Sequence, residues 1–178
     1  IKRPPKLPGW GTVIEICTER YSTLVESSEK YEGIEVMSIT KEDDFGAPHT
    51  LKWLQRFIQE KPGTSIHGSL PCTAWCIRHF MNIKKFGKGY LRELEQKRAE
   101  SLKLVKRFRI LARLVIQLGG HVSFEWPKTS LGWLQPEVLG MISELGMHDV
   151  ITDGCSYGMT NSKGQPILKQ WRFVTTNK

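Results

Sequence analysis

The chain has little that would anchor it to a membrane or brace it with covalent cross-links. None of its apolar runs reaches the roughly 20 residues that span a bilayer, and the first residues do not form a secretory leader. Its 178 residues include only four cysteines, which lie in or beside apolar segments and are too sparse for a disulfide scaffold. We therefore expect an intracellular protein, nuclear or cytoplasmic, with no membrane partner.

Acidic residues are scarce relative to basic ones. Lys and Arg total 26 against 18 Asp and Glu, which gives a net charge of +8 and an isoelectric point near 9.4. Such a surplus favours a polyanionic partner, and nucleic acid is the commonest. The alternative is a basic surface that is only solvated.

Internal repeats, a glycine-rich loop of the Walker type and a Ser-His-Asp order are all missing. The length suits one compact domain with a sizeable core. Residues 1–10 carry three prolines and three basic side chains without an apolar period, which predicts an extended basic arm. Residues 11–178 then form a single α/β domain.

Short apolar runs alternate with segments of helical period along the chain. The runs predict strands at residues 12–17, 34–39, 64–67, 121–125, 150–152 and 171–175. Helices are predicted at residues 21–31, 47–60, 89–118 and 136–145. The connections are too long for hairpins, so the order predicts a mostly parallel, twisted sheet with helices on both faces, which is a Rossmann-like α/β fold.

Reactive side chains follow several of these strands. Ligands bind in such folds at the carboxyl ends of the parallel strands. Cys72 follows the third strand and Glu125 ends the fourth, and together they make a chemical pair. Cys72 is a candidate nucleophile, and Glu125 a candidate proton donor or hydrogen-bond partner for a heterocycle. The alternative for Cys72 is a buried, unreactive thiol.

Metal binding is a further possibility near the same cysteine. Cys72, Cys76 and His79 have the spacing C-x3-C-x2-H, and Cys155 could complete a tetrahedral zinc set. This spacing is irregular, however, and no second close pair accompanies it. We therefore predict no metal.

The order of motifs resembles that of the catalytic domain of DNA cytosine-5 methyltransferases. In that family, a cofactor loop follows the first strand, a Pro-Cys pair and a Glu end later strands, and a Tyr/Phe-Gly turn precedes a Gln/Arg-rich strand. The matching segments here are Glu15-Ile16-Cys17-Thr18, Gly68-Ser69-Leu70-Pro71-Cys72, Phe124-Glu125-Trp126-Pro127, Ser156-Tyr157-Gly158 and Lys169-Gln170-Trp171-Arg172. The order and approximate spacing agree over most of the chain.

This resemblance implies a substrate, a cofactor and roles for particular residues. Cys72 would attack C6 of a cytosine, Glu125 would engage its N3 side, and Arg172 would steady the site. The cofactor would be S-adenosylmethionine, held by Glu15, Cys17, Thr18, Glu19, Asp43, Asp44 and Pro71. The nucleic acid would be DNA rather than RNA, with the base flipped out of the duplex.

Two departures from the family pattern support another hypothesis. Thr18-Glu19-Arg20-Tyr21 stands where the family has glycines, and Glu125 is followed by Trp126-Pro127 instead of Asn-Val. The alternative is a catalytically inactive module that binds nucleic acid through the basic helix between Arg92 and Arg113, or a protein through its tryptophans. Several segments also resemble poorly characterised eukaryotic modules in mobile-element polyproteins, which implies that other domains of a longer protein are partners.

Overall fold

Within the described part of the chain, six strands and four α-helices alternate, with three short 3-10 turns between them. The computed structural model describes residues 11–31 and 33–177, so the predicted basic arm at residues 1–10 lies outside the described residues. The strands are β1 (Thr12–Ile16), β2 (Glu35–Ile39), β3 (Ser65–Gly68), β4 (Val122–Pro127), β5 (His148–Asp153) and β6 (Gln170–Thr175). The helices are α1 (Thr23–Ser28), α2 (Pro48–Glu60), α3 (His79–Gln117) and α4 (Pro136–Leu145).

All six strands form one sheet in the order β2-β1-β3-β4-β6-β5. The first four neighbours pair in parallel, whereas β6 runs antiparallel between β4 and β5. Strands β1 to β5 therefore end at the same edge of the sheet, and β6 begins there. The prediction of a mostly parallel, Rossmann-like sheet is confirmed.

The two faces of the sheet are covered differently. Helices α2, α3 and α4 pack side by side on the face that carries Ile14, Ile66, Phe124 and Trp126. The short helix α1 lies on the opposite face, above Glu15, because Ser22 at its amino end donates a hydrogen bond to that carboxylate. Helices thus lie on both faces, as predicted, but one face is covered far less than the other.

Aromatic rings fill the core beneath β4. The ring of Phe124 lies 4.8 Å from that of Trp126 and 5.6 Å from that of Phe108, measured between centroids, and Trp126 lies 5.7 Å from Trp133. Contacts of this kind add to the free energy that burial of large apolar side chains already supplies. The hypothesis of a partner surface named Trp10, Trp75, Trp126, Trp133 and Trp171. It is wrong for Trp75, Trp126 and Trp133, which are buried, whereas Trp171 is only half-buried and Trp10 lies outside the described residues.

Helix α3 begins ten residues earlier than predicted. The segment from His79 to Phe86 is helical, and Gly87, with φ of 70°, breaks the helix before it continues to Gln117. The sequence did not predict this first part of the helix, because the glycines at 87 and 89 interrupt the helical spacing of apolar residues. Strand β4 likewise runs on through Trp126 and Pro127, because both residues pair with β6. Proline is tolerated there because it occupies the last position of the strand.

Between Arg92 and Arg113, five of the eight basic side chains of α3 contact neighbouring elements. Arg107 donates to the carbonyl oxygens of Phe45 and Ala47, while Arg109 and Arg113 both contact Glu144. The remaining contacts are Arg98 with the carbonyl of Ala74, at 3.2 Å, and Lys106 with Glu137, at 3.5 Å. The predicted phosphate track between Arg92 and Arg113 is therefore largely occupied within the fold.

Gly120 provides a direct test of how α3 joins the sheet. A Cβ atom added there would lie 1.9 Å from the carbonyl oxygen of Thr64, so we expect Gly120→Ala to lower the free energy of unfolding by about 2 kcal/mol or more. Gly89→Ala is the matched control, because this exposed helical glycine has no neighbour within 4 Å of the added atom. It should raise the free energy of unfolding by about 0.5–1 kcal/mol. Chemical denaturation measures the free energy of unfolding of both variants. Equal changes in Gly120→Ala and Gly89→Ala would contradict the close packing of Gly120 against Thr64.

Candidate functional site

The loop after β3, which carries Cys72, is fastened to the two strands beside it. The amide of Ser69 donates to the carbonyl of Ile16 at 3.0 Å, and the Ser69 hydroxyl donates to Oε1 of Glu125 at 3.2 Å. The indole Nε1 of Trp126 donates to the carbonyl of Leu70 at 2.7 Å. These bonds fix the loop relative to β1 and β4, so the position of Cys72 depends on both strands.

Cys72 stands at the start of a short 3-10 turn, Thr73–Trp75, and its thiol is half-buried. Burial raises the pKa of this thiol above its ordinary value, and the negative charge of Glu125 raises it further. A backbone hydrogen bond and the positive charge of Lys169 act in the opposite direction on the pKa. The Cys72 thiol is thus near enough to Glu125 for the charge of the carboxylate to act on it, and the chemical pairing of the two residues stays a prediction.

Glu125 lies on the face of the sheet that α1 covers only in part. Burial raises the pKa of its carboxyl group, and the nearby charge of Glu15 adds to that effect, while the hydrogen bond from Ser69 and the charge of Lys169 lower it. The carboxyl group consequently keeps its proton to a higher pH than an exposed glutamate does. A protonated carboxyl group can donate a hydrogen bond to a ring nitrogen, which an ionised one cannot.

Lys169 completes this group of side chains, and the sequence did not single it out. It immediately precedes β6, and its ammonium lies 4.1 Å from the centre of the Trp171 ring. Only the antiparallel direction of β6 brings residue 169 to the edge where β3 and β4 end. A local sequence pattern does not reveal the direction of a strand, so the sequence contains no signal that would have placed Lys169 at the site.

His67 is a buried neighbour of Glu125 that the sequence reading also passed over. Its Nδ1 lies 2.7 Å from the Ser123 hydroxyl, its ring stacks on Phe173, and its Nε2 is 3.9 Å from Oε2 of Glu125. Burial lowers the pKa of His67 to about 4. The imidazole is thus neutral at pH 7, and its contact with Glu125 is not a salt bridge at that pH.

A cavity of about 500 Å³ opens at the carboxyl ends of β1 and β3, which is the point where the strand order reverses. This is where open α/β sheets bind ligands. Four of the residues predicted to bind a cofactor line it, namely Cys17, Thr18, Asp44 and Pro71. Its other walls come from Thr40, Lys41, Phe45, Gly46, Glu100, Lys103 and Leu104.

The turn after β1 keeps a backbone conformation that normally favours glycine. Cys17 has φ of 63°, in the left-handed region, although it carries a side chain. Burial raises the pKa of the Cys17 thiol to about 12, so it remains protonated and is not a nucleophile at neutral pH. The amides of Cys17 and Thr18 both donate to the carbonyl of Ile39, which ties the turn to β2.

The other predicted cofactor residues lie elsewhere. Glu15 and Glu19 line a larger cavity of about 960 Å³ between α1 and the sheet, where Glu15 is buried and accepts the hydrogen bond from Ser22. Asp43 lines neither cavity that holds the predicted residues, because its carboxylate accepts hydrogen bonds from the amide and hydroxyl of Thr40. It closes the turn after β2.

Arg172 points away from the group and does not steady it. In the register of β6, Arg172 is opposite Trp126, whereas Phe173 is opposite Glu125. Successive side chains of a strand point to opposite faces, so Arg172 lies on the far face of the sheet from Glu125. There it contacts Asp149, and its guanidinium is 4.4 Å from the centre of the Trp133 ring.

Among the described residues, no group of three or more His, Cys, Asp or Glu side chains could hold a metal ion. The four cysteines are free thiols, and both ring nitrogens of His79 already have partners in Thr73 and Tyr90. A search of the same residues also finds no helix that is long and apolar enough to cross a membrane.

The fold is a Rossmann-like α/β fold. It is similar to the structure of a protein-(glutamine-N5) methyltransferase (release factor-specific) from Alicyclobacillus acidocaldarius subsp. acidocaldarius, with a TM-score of 0.50 and 15% sequence identity over 96% of this chain and 82% of that chain. No family model and no curated protein matches the chain. At this identity the similarity shows the fold alone. The neighbour methylates a protein, so the cytosine-specific substrate stays a prediction.

The buried imidazole predicts how stability depends on pH. An unfolded histidine takes up a proton near pH 6.5, whereas folded His67 does so only near pH 4, so acidification favours unfolding over this interval. The contribution approaches about 3 kcal/mol at pH 4. We expect the stability difference between the wild type and His67→Gln to narrow by about that amount between pH 7 and pH 4, measured by denaturation in urea. His49→Gln, at an exposed position, is the control, and an unchanged difference for His67→Gln would be evidence against a buried neutral imidazole.

Proposed function

We propose that this protein is an S-adenosylmethionine-dependent methyltransferase that acts on a cytosine in nucleic acid, with Cys72 as nucleophile and Glu125 as its acidic partner. One observation carries the proposal. A thiol and a carboxyl group follow or end adjacent parallel strands, near enough for their charges to interact, and Ser69 links the loop that carries the thiol to the carboxylate. Pro71, the residue before the thiol, lines the cavity at the reversal point of the sheet. The methyltransferase fold supports the class of reaction.

The cavity at the ends of β1 and β3 fits the chemistry of S-adenosylmethionine. Its volume of about 500 Å³ falls within the range of sites for small ligands. Phe45, Leu104 and Pro71 offer apolar surface for the adenine ring. Asp44 uses Oδ1 to accept the amide of Gly46, which leaves its second carboxylate oxygen for the hydroxyl groups of a ribose.

The chain's own residues then have defined chemical tasks. The thiol of Cys72 gives its proton to water and forms a bond with C6 of the ring, which makes C5 electron-rich. Glu125, whose pKa is raised by burial, donates its proton to N3 and so stabilises the electron density that builds up on the ring. S-adenosylmethionine, when bound, would supply the methyl group to C5, with S-adenosylhomocysteine as the other product. Water takes the C5 proton, the N3 proton returns to Glu125, and the Cys72 thiolate departs from C6, which restores the aromatic base.

Lys169 has a supporting role in this proposal. Its positive charge lowers the pKa of Cys72 and of Glu125, against the effect of burial. The nucleophile is the thiolate, so a nearby ammonium increases the fraction of reactive sulfur at neutral pH. The same charge lies on the outer surface, where a phosphate group of a polyanionic substrate could reach it.

Two segments without acidic residues support nucleic acid as the substrate, and Cys72 belongs to one of them and Lys169 to the other. Residues 61–92 contain six basic side chains and residues 154–178 contain four, and neither segment has an Asp or Glu. Together they carry more positive charge than the net +8 of the whole chain. Two stretches of chain with basic and no acidic residues favour a substrate with a phosphate backbone. We propose DNA rather than RNA as the substrate, and this choice rests only on the resemblance to DNA cytosine-5 methyltransferases.

A second candidate is a catalytically inactive module that binds nucleic acid. The turn after β1 favours it, because the amides of Cys17 and Thr18 are both committed to Ile39 and cannot bind a cofactor. For either function, we propose that residues 11–178 form one domain that acts inside the cell, nuclear or cytoplasmic, as part of a longer, mobile-element protein.

A methyl-transfer assay separates the two candidates. Radiolabelled S-adenosylmethionine is incubated with the purified chain and with cytosine-containing DNA or RNA, and label in the nucleic acid is counted. We expect transfer by the wild type, a loss of at least about 100-fold in Cys72→Ser because an alcohol replaces the thiolate, and a smaller loss of about 10- to 100-fold in Glu125→Gln.

Cys155→Ser is the matched control, since this cysteine is also partly exposed and belongs to a different loop. Transfer that survives Cys72→Ser would refute the nucleophile. Absence of transfer from every variant, with nucleic acid still bound, would favour the inactive module.

A further inference from the structure

The first part of α3, from His79 to Phe86, presents large apolar side chains to solvent beside Cys72. Phe80 is 60% exposed and Met81 66%, and Phe86 and Ile77, which flank them, are 57% and 56% exposed. Side chains of this size are normally buried in the core or covered by a partner. This outer surface, made of residues 77, 80, 81 and 86, is hereafter the aromatic patch.

Hydrogen bonds hold this short helix in place from its inner side. The Nε2 of His79 donates to the carbonyl of Thr73 at 2.7 Å, and its Nδ1 accepts from the Tyr90 hydroxyl at 2.6 Å. The amide of Asn82 donates to the same Tyr90 oxygen at 3.0 Å. Because Thr73 follows Cys72 directly, the patch is fixed with respect to the candidate nucleophile.

Exposed lysines follow the aromatic patch along the chain, while Glu95 and Arg98 line the cavity that Phe80 also lines. Lys84, Lys85 and Lys88 are exposed within eight residues of Phe80, and no acidic residue occurs anywhere in residues 61–92. Farther along α3, five basic side chains contact other parts of the fold, namely Arg98, Lys106, Arg107, Arg109 and Arg113. The lysines of the short helix have no carboxylate partner in the described part of the chain.

We infer that this segment, residues 77–88, is the surface that grips unpaired nucleotides of the nucleic acid next to Cys72. Exposed aromatic rings give bases a surface on which to stack, and lysines pair with the phosphates between them. An amphipathic helix that lies on a membrane also combines apolar and basic residues. The position of the patch, anchored to the residue after Cys72, favours nucleic acid. The inference rests on the proposed function and specifies where its substrate binds.

Fluorescence anisotropy with a labelled single-stranded oligonucleotide of about 16 nucleotides, with the full chain and no cofactor, tests this inference. We expect Phe80→Ala to weaken binding by roughly 5- to 100-fold, which corresponds to the loss of one stacked base. The double variant Lys84→Gln, Lys85→Gln should reduce the slope of log Kd against log salt by about 1.4, or about 0.7 for each lost phosphate contact.

Matched controls lie on exposed positions elsewhere in the fold. Leu139→Ala removes an exposed apolar side chain from α4, and the double variant Lys30→Gln, Lys52→Gln removes two exposed lysines. Both control variants should bind as the wild type does. Circular dichroism of each variant verifies that the fold is retained.

The outcomes separate this inference from the proposed function. If the wild type binds and the patch variants bind equally well, the inference is wrong while nucleic acid remains the substrate. If the wild type does not bind in low salt, both fail. A third outcome is that the wild type binds anionic phospholipid vesicles, that Phe80→Ala abolishes this binding, and that oligonucleotide binding is unchanged in the variant. This outcome would assign the aromatic patch to a membrane and overturn the inference.

Discussion

The hydrogen bond from the Trp126 indole to the carbonyl of Leu70 holds the candidate catalytic loop on the core of the protein. Trp126 is almost completely buried, and its ring packs on Phe124, Trp133 and the backbone of Gly132, where an added Cβ would come within 2.3 Å of the ring. The ring therefore has little freedom to move. Whatever fixes Trp126 also fixes the residues just before Cys72.

The neighbouring residue on β4 points the other way and performs a different task. Because side chains alternate along a strand, Trp126 enters the core while Glu125 faces the partly covered side of the sheet. Ser69, one residue before Leu70 on the loop, donates its hydroxyl to Glu125. Trp126 thus holds Leu70 on the core side of the sheet, and Glu125 holds Ser69 on the side of the candidate site. The placement of Cys72 and the electrostatics of Glu125 are consequently coupled.

The sequence predicted the fold because the strands on its parallel side are short apolar runs separated by helical periods. The same reasoning placed Cys72 and Glu125 together, since both follow or end adjacent parallel strands. It failed at β6. Because β6 is antiparallel, Lys169 lies at the candidate site. Because of the register of β6, Arg172 lies on the other face of the sheet. Local composition predicts neither the direction nor the register of a strand. His67 was missed for another reason, because a single histidine in an apolar run is usually structural, and only the pairing of β3 with β4 brings it beside Ser123 and Glu125.

Cofactor binding decides between an enzyme and an inactive module, and calorimetric titration of the purified chain with S-adenosylmethionine and S-adenosylhomocysteine measures it directly. We expect the chain to bind S-adenosylmethionine with an affinity in the micromolar range. Asp44→Ala should weaken this affinity about tenfold or more, because it removes a charged hydrogen-bond acceptor from the cavity. Glu26→Ala, on the exposed surface of α1, should bind as the wild type does. No detectable heat at several temperatures, or equal binding by Asp44→Ala and the wild type, would contradict the cavity at the ends of β1 and β3 as the cofactor site.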